Sequence, residues 1–343
     1  MTAHTPAQAA PSATYLQSLN RGLHAAMEAD SRVHFAGEDI LDPYGGAFKV
    51  SAGLSTRFPE RVHTTPISEG AITGLASGMA LRGLKPVVEI MFGDFLTLTF
   101  DQILNHAVKF GAMYGTEVPV PMVIRTPMGG RRGYGPTHSQ SIEKHFFGIP
   151  GLKVISPSHV HAAGDLLGAA IASETQPVLF IEYKSLYPLP LFTGSELLNV
   201  APAPTGSYAT RIVRNFETGE PDAVLIGYGG VAPLMLEVAE RLAEEEINVS
   251  VVLPAVISPL DIAPIAQEVA RARRALVVEE GVAGFDWGAE VAARLHETLF
   301  GKLDRPVRRL ASKPQIIPTS KDGETGTLIS ADDIEAAVYE ELA

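Results

Sequence analysis

Cysteine is absent from this chain of 343 residues. That excludes disulfides, thiolate metal sites and a thiol nucleophile, and it leaves the redox compartment unreadable from cysteine usage. Basic residues are scarce: 27 Lys and Arg against 39 Asp and Glu give a formal net charge of −12. With no long basic run to offset the acids, nucleic-acid binding is not expected. Long apolar runs are missing too, since no stretch approaches the ~18 residues of a membrane helix. Met1–Pro6 has neither the basic nor the apolar part of a signal peptide. The expectation is a cytoplasmic protein with no membrane partner. Against these absences stands a hydrophobic content of 46%. The length suits about two domains with full cores, at roughly 150 residues each.

Residues 1–13, rich in Ala, Pro, Thr and Ser, read as a loose N-terminal arm. From Tyr15 apolar residues recur at helical spacing up to Asp30, and Val33–Ala36 follows as a short strand ending in Gly37-Glu38-Asp39. Pro86–Met91, Pro121–Arg125 and Pro177–Glu182 have the apolar, β-branched character of buried parallel strands. A further strand lies within 150–158. Helices are expected over Phe100–Tyr114 and from His159 to Ser173. Residues 187–207 break every period and read as a linker. Strands and helices then alternate again through Ala223–Tyr228, Val231–Glu246, Ile247–Leu253, Asp261–Arg271, Ala275–Glu279 and Gly284–Phe300. Ser330 caps the last helix. The pattern predicts two parallel-sheet α/β domains, over residues 14–186 and 208–343.

The chain is organised around Thr64–Ala80. Pro66 and Ser68 open a helix there, and Gly70, Gly74 and Gly78 lie on one face where another backbone can approach. Glu69 falls in the first turn, where free amides favour a carboxylate, although acids are common at that position. Phe92 and Phe95 flank Gly93-Asp94, and by spacing alone they are core residues. Thr126–Ser141 is a loop with four glycines and two prolines that carries His138, a residue able to donate and shuttle protons near neutrality. Arg131 and Arg132 in the same loop suit an anionic substrate or, equally, a rim or partner contact. His159 and His161 have no third ligand at a metal-site spacing, so zinc is not expected.

Five ordered motifs, Gly37-Glu38-Asp39, Gly46–Ser51, Pro66–Glu69, Phe92–Phe95 and Thr137–Ser141, resemble the β subunits of the thiamine-diphosphate-dependent decarboxylase component of 2-oxo acid dehydrogenases, within the wider transketolase-like superfamily. The resemblance runs from about Val33 to Leu310. It implies a pyrimidine-binding domain followed by a transketolase C-terminal-like domain. It makes Glu69 the catalytic acid that hydrogen-bonds N1′ of the aminopyrimidine ring. Phe95 would stack on that ring with Met91 near it, Glu38 would lie beside the pocket and its subunit contact, and His138 would steady the substrate. A structural potassium ion would be held by carbonyls near Ala170, Ile171 and Ser173, although Ser173 stands where an acid is expected.

The chain contains no Gly-Asp-Gly followed by Asn, the feature that holds magnesium and the diphosphate in such enzymes. A separate α subunit is therefore expected to supply that half, in an α2β2 assembly, with acyl transfer to a lipoyl arm. Leu253–Val256 and Lys313–Leu328 depart from the family pattern on the face that docks an acyltransferase core. Together with Arg131-Arg132 they keep open a split transketolase-like or acyloin-forming carboligase.

Overall fold

The computed structural model describes residues 13–202 and 206–343. The expected arm lies outside the described residues but for Ala13. Apolar runs bounded by Gly, Pro or acids fold as strands, and the helical segments between them return the chain to the same sheet edge. The strands are β1 (Val33–Gly37), β2 (Val62–Thr64), β3 (Lys85–Glu89), β4 (Val123–Met128), β5 (Lys153–Ile155), β6 (Val178–Tyr183), β7 (Asn199–Val200), β8 (Arg211–Arg214), β9 (Ala223–Gly227), β10 (Val249–Leu253), β11 (Val256–Ser258), β12 (Ala275–Val282) and β13 (Arg308–Ser312).

They form a seven-stranded sheet, β11-β5-β6-β4-β3-β1-β2, and a six-stranded sheet, β13-β12-β9-β10-β8-β7. The first is parallel from β5 to β2. Its outer strand β11 is antiparallel and comes from the second half of the chain. The second sheet is parallel from β13 to β10 and gains an antiparallel edge in β8 and β7. Both units are thus α/β as expected, each with a mixed edge. The apolar core of the first sheet continues into the second unit through Ile257, Tyr228 and Trp287.

The helix Tyr15–Ala29 begins at Thr14, whose hydroxyl and Gln17 form a reciprocal capping box. It packs on the helix Ala163–Ser173 with the two backbones in direct contact: a Cβ on Gly164 would lie 2.0 Å from the Ser18 carbonyl oxygen, and one on Gly22 2.3 Å from that of Gly164. Only glycine fits at that crossing. Within the sheet, Arg125 is buried between Glu182, which its Nε meets at 2.8 Å, and Glu89.

Several local expectations change. Phe100–Tyr114 is not one amphipathic α-helix but a π-helical segment, Gln102–Ala107, followed by a short helix, Phe110–Tyr114. The Val108 N–H donates to the Ile103 carbonyl, a five-residue step. This segment packs on the Glu69 helix: Gly74 faces Gln102, whose Oε1 would lie 3.1 Å from a Cβ there. Gly70 likewise faces the Leu98 carbonyl at 3.2 Å, whereas Gly78 faces open space and takes no part in this close approach. Ser68 occupies the N-cap position of Glu69–Leu81, but its side chain makes no capping bond. The helix expected from His159 begins at Ala163. Parts of the expected linker are structured, with Pro190 bridging to Thr14 and β7 joining the second sheet.

Candidate active site

The carboxyl ends of β1, β3, β4 and β6 meet at one edge of the first sheet, the place where parallel α/β sheets bind ligands. Glu38 directly follows β1, and Glu69 opens the next long helix. Both are buried, at 5% and 4% exposure. Burial pushes the Glu38 carboxyl above its ordinary range, and the charges of Glu69, Asp39 and Glu89 add to this while the Ser68 amide opposes it. Glu38 Oε1 has no hydrogen-bond partner. A buried carboxylate oxygen left unpaired is costly, so this edge holds unused acceptor capacity.

Beyond β3 the chain passes half-buried Met91 and enters a tight 3-10 segment, Gly93–Leu98, that abuts the start of the Glu69 helix. This segment aims Phe95 toward the glycine-rich loop. Phe92 and Phe95 meet edge to face at 6.0 Å, and the His138 ring stands edge-on to both, at 4.6 and 5.3 Å. Phe48 and Tyr134 add further edge contacts to Phe92, at 5.5 and 6.1 Å. Thr137 Oγ1 lies 3.0 Å from His138 Nδ1. The structure therefore pairs Glu38 with Glu69, and His138 with Phe95, on adjoining segments of one edge. An aromatic wall on the same sheet edge as the unpartnered Oε1 of Glu38 fits a flat, nitrogen-bearing ring of the aminopyrimidine kind.

Arg131 and Arg132 turn toward the protein. Arg131 adopts φ +72°, donates from Nε to Glu280 at 3.1 Å and from a terminal nitrogen to the Ile329 carbonyl at 2.7 Å. Arg132 donates to the Lys184 carbonyl at 2.8 Å and lies 6.0 Å from the Phe48 ring. Among the described residues no cluster of three His, Asp or Glu side chains could hold a metal ion. Near the carbonyls proposed for potassium, Ala170 accepts the helix-ending Glu174 N–H, and Lys85 Nζ donates to the adjacent Ala172 carbonyl at 2.7 Å. A side-chain cation already serves this helix end.

Side chains not singled out from sequence complete the edge. Lys184 follows β6, is fully buried and donates from Nζ to the His138 carbonyl at 2.8 Å, 5.2 Å from the Phe92 ring. Burial brings its pKa down to about 8. Asp94 accepts from the Gln140 side chain at 2.7 Å, and its second oxygen is unpartnered. The Gly-Asp pair inside an aromatic motif was a signal for Asp94, while Lys184 had none.

Residues 12–190 match the family described as transketolase, pyrimidine binding domain, and residues 214–334 match transketolase, C-terminal domain. The chain is 37% identical over 307 residues to the pyruvate dehydrogenase E1 component subunit beta of Leifsonia xyli, covering 89% of this chain and 88% of that one. It is 35% identical over 331 residues to the 2-oxoisovalerate dehydrogenase subunit beta of Bacillus subtilis, covering 95% and 98%. It is 33% identical over 334 residues to the acetoin:2,6-dichlorophenolindophenol oxidoreductase subunit beta of Cupriavidus necator, covering 93% and 94%. Among solved structures, a split-gene transketolase described as an inactive beta4 tetramer superposes with a TM-score of 0.72 at 19% identity, covering 95% and 97%, a likeness of fold. Among the described residues no helix is long and apolar enough to cross a membrane. The chain belongs to the β subunits of the thiamine-diphosphate-dependent 2-oxo acid dehydrogenases.

Proposed function

We propose that this chain supplies the aminopyrimidine-binding, proton-handling half of an active site completed by an α subunit, and that the assembly decarboxylates a 2-oxo acid and passes the acyl group to a lipoyl acceptor. The observation that carries this reading is the buried Glu69 at a helix start, beside a Glu38 whose Oε1 has no partner. When bound, thiamine diphosphate supplies the carbon nucleophile and electron sink that decarboxylation needs. Glu69 holds a proton toward the ring nitrogen, with the buried Glu38 carboxyl as its acidic neighbour on the same edge. Phe95 and Met91 hold the ring by apolar contact. His138, steadied by Thr137, Phe92 and the Lys184 ammonium on its carbonyl, orients the substrate's carboxylate or carbonyl oxygen.

The α subunit holds magnesium and the diphosphate, in an α2β2 assembly that docks to an acyltransferase core. Potassium is the weakest member of the cofactor set, because Lys85 already serves the helix end near Ala170, Ile171 and Ser173. The engagement of both loop guanidinium groups by protein acceptors removes the support that Arg131 and Arg132 lent to a substrate-anion role and to a transketolase-like acceptor step.

The test is to co-express the chain with the α subunit encoded beside it. With thiamine diphosphate and magnesium added, reduction of 2,6-dichlorophenolindophenol is followed with pyruvate or 3-methyl-2-oxobutanoate, with and without an aldehyde. Dye reduction without aldehyde is expected. A carbon–carbon bonded product with little dye reduction would overturn the dehydrogenase reading.

A further inference from the structure

The loop that carries His138 leaves β4 at Gly129 and returns at Ser141, and both limbs are tied to the second unit by two buried carboxylates. Glu280 Oε1 accepts from the Gly130 N–H at 2.8 Å on the outgoing limb and from the Ser141 hydroxyl at 3.2 Å on the returning limb. Its Oε2 accepts from Arg131 Nε at 3.1 Å. Glu324 repeats the arrangement one step further along. Its Oε1 accepts from the Arg132 and Gly133 N–H groups at 3.1 and 3.3 Å, and its Oε2 from the Ser139 hydroxyl at 2.8 Å. Both acids are at least 98% buried.

Three independent features are shaped to this contact. β12 shifts register against β13 between Val278 and Val282, an irregularity that contains Glu280. Such irregularities re-aim side chains next to functional sites. A Cβ on Gly129 would lie 2.7 Å from Glu280 Oε1, and one on Gly130 3.0 Å from Glu324 Oε1, so the two glycines are what admit the carboxylates. Arg131 takes φ +72°, a left-handed turn that brings its Nε to Glu280.

We infer that Glu280 and Glu324 are positioning residues for His138, so that the second unit contributes to catalysis by setting the loop of the first. The inference rests on the proposed role of His138. Every contact at the two acids comes from an N–H or O–H donor, so an ionised carboxylate, which only accepts, satisfies both limbs at once. Glutamine keeps the shape but turns one acceptor into a donor: at Glu280 it withdraws the acceptor of Arg131 Nε or the one that Gly130 and Ser141 share, and at Glu324 that of Ser139 or the one that the Arg132 and Gly133 N–H groups share.

The experiment uses the chain assembled with its α subunit and compares wild type, Glu280→Gln, Glu324→Gln and, as a control, Glu268→Gln. Glu268 is an equally buried acid of the second unit that binds Arg214, Arg271 and Ser250, none of them in the loop. Amide hydrogen exchange over residues 129–141 is expected to quicken at least tenfold in both loop variants and to be unchanged in Glu268→Gln. The kcat with pyruvate or 3-methyl-2-oxobutanoate should fall at least tenfold in the loop variants, with thiamine diphosphate affinity held within twofold. In a His138→Asn background the same two substitutions should cost less than a further twofold, because they act through that histidine. Full additivity in that background, unchanged exchange, or an equal loss in Glu268→Gln would overturn the inference. If the wild-type assembly turns over no 2-oxo acid, the functional reading fails, and the exchange comparison alone decides whether the acids hold the loop.

Discussion

Replacing Glu69 by alanine deletes a buried acid without enlarging the helix that it opens. The expected outcome is a loss of turnover of about 10²–10⁴-fold with the assembled complex intact by size-exclusion chromatography. Retained turnover would remove Glu69 from the mechanism. Lys184→Met tests the floor beneath His138. It keeps the apolar stem but withdraws the only side-chain donor to the His138 carbonyl seen among the described residues. A fully buried carbonyl left unpaired costs about 1–3 kcal/mol and this one is part-buried, so a modestly lower denaturation midpoint is expected together with reduced kcat. Glu69 was legible at this scale because a Pro-x-Ser-Glu helix start is a local pattern. Lys184, Glu280 and Glu324 were not, because they draw meaning from groups up to 192 residues away. For Arg131 and Arg132 the sequence left a substrate anion and a rim or partner contact equally open, because which acceptors the two guanidinium groups reach depends on residues distant in the chain.

Elements whose backbones touch are the most sensitive to added volume. Gly164→Ala would drive a Cβ to 2.0 Å from a backbone oxygen of the Tyr15–Ala29 helix, and neither helix can give without shifting whole turns. A destabilisation of at least about 1–3 kcal/mol is expected from overpacking. Gly78→Ala makes the opposite case. Its Cβ meets nothing within 4 Å, so helix propensity alone applies and a gain of about 0.5–1 kcal/mol is expected. Chemical denaturation of the pair reads both signs. These two glycines show where element-level reading succeeds and where it stops. Apolar character located the buried parallel strands β1, β3, β4, β5, β6, β9, β10 and β12 and most of the long helices, but not the edge strands β2, β7, β8, β11 and β13, which are short or polar. Which glycines on a helix face touch another backbone, and where a π turn interrupts Phe100–Tyr114, depended on the neighbour and not on the segment.

At the scale of the whole molecule, the two units meet over buried acids. Glu143 accepts from the Tyr183 and Tyr228 hydroxyls at 2.6 and 2.7 Å, and burial raises its pKa. Burial, with Asp286 and Glu143 adding to it and the Gly288 amide opposing, pushes Glu279 up to about 8. A carboxyl raised on folding binds more protons in the native state than in the unfolded chain. Its stabilising proton is fully held below the unfolded value near 4.5 and is lost as pH rises toward 8. Stability from this group therefore falls over that window, by up to about 1.4 kcal/mol per pH unit. Glu279→Gln should flatten that part of the curve and exceed wild type in denaturation midpoint above pH 8. Parallel slopes for the two proteins would show that Glu279 is not the group responsible.

The strand β11 belongs by sequence to the second half of the chain yet extends the sheet of the first, with Ser156 donating to the Ala255 carbonyl at 2.8 Å and Trp287 to that of Ile257 at 3.0 Å. A polypeptide ended after residue 190 would keep every side chain of the proposed pocket but expose the flank of β5, an unpaired row of amides and carbonyls of the kind that draws chains into aggregates. The two halves are thus bound by a loan of backbone as well as by side chains. A piece that keeps the flank of β5 paired has to reach past Ser258, and one that also holds the loop of His138 has to reach Glu324.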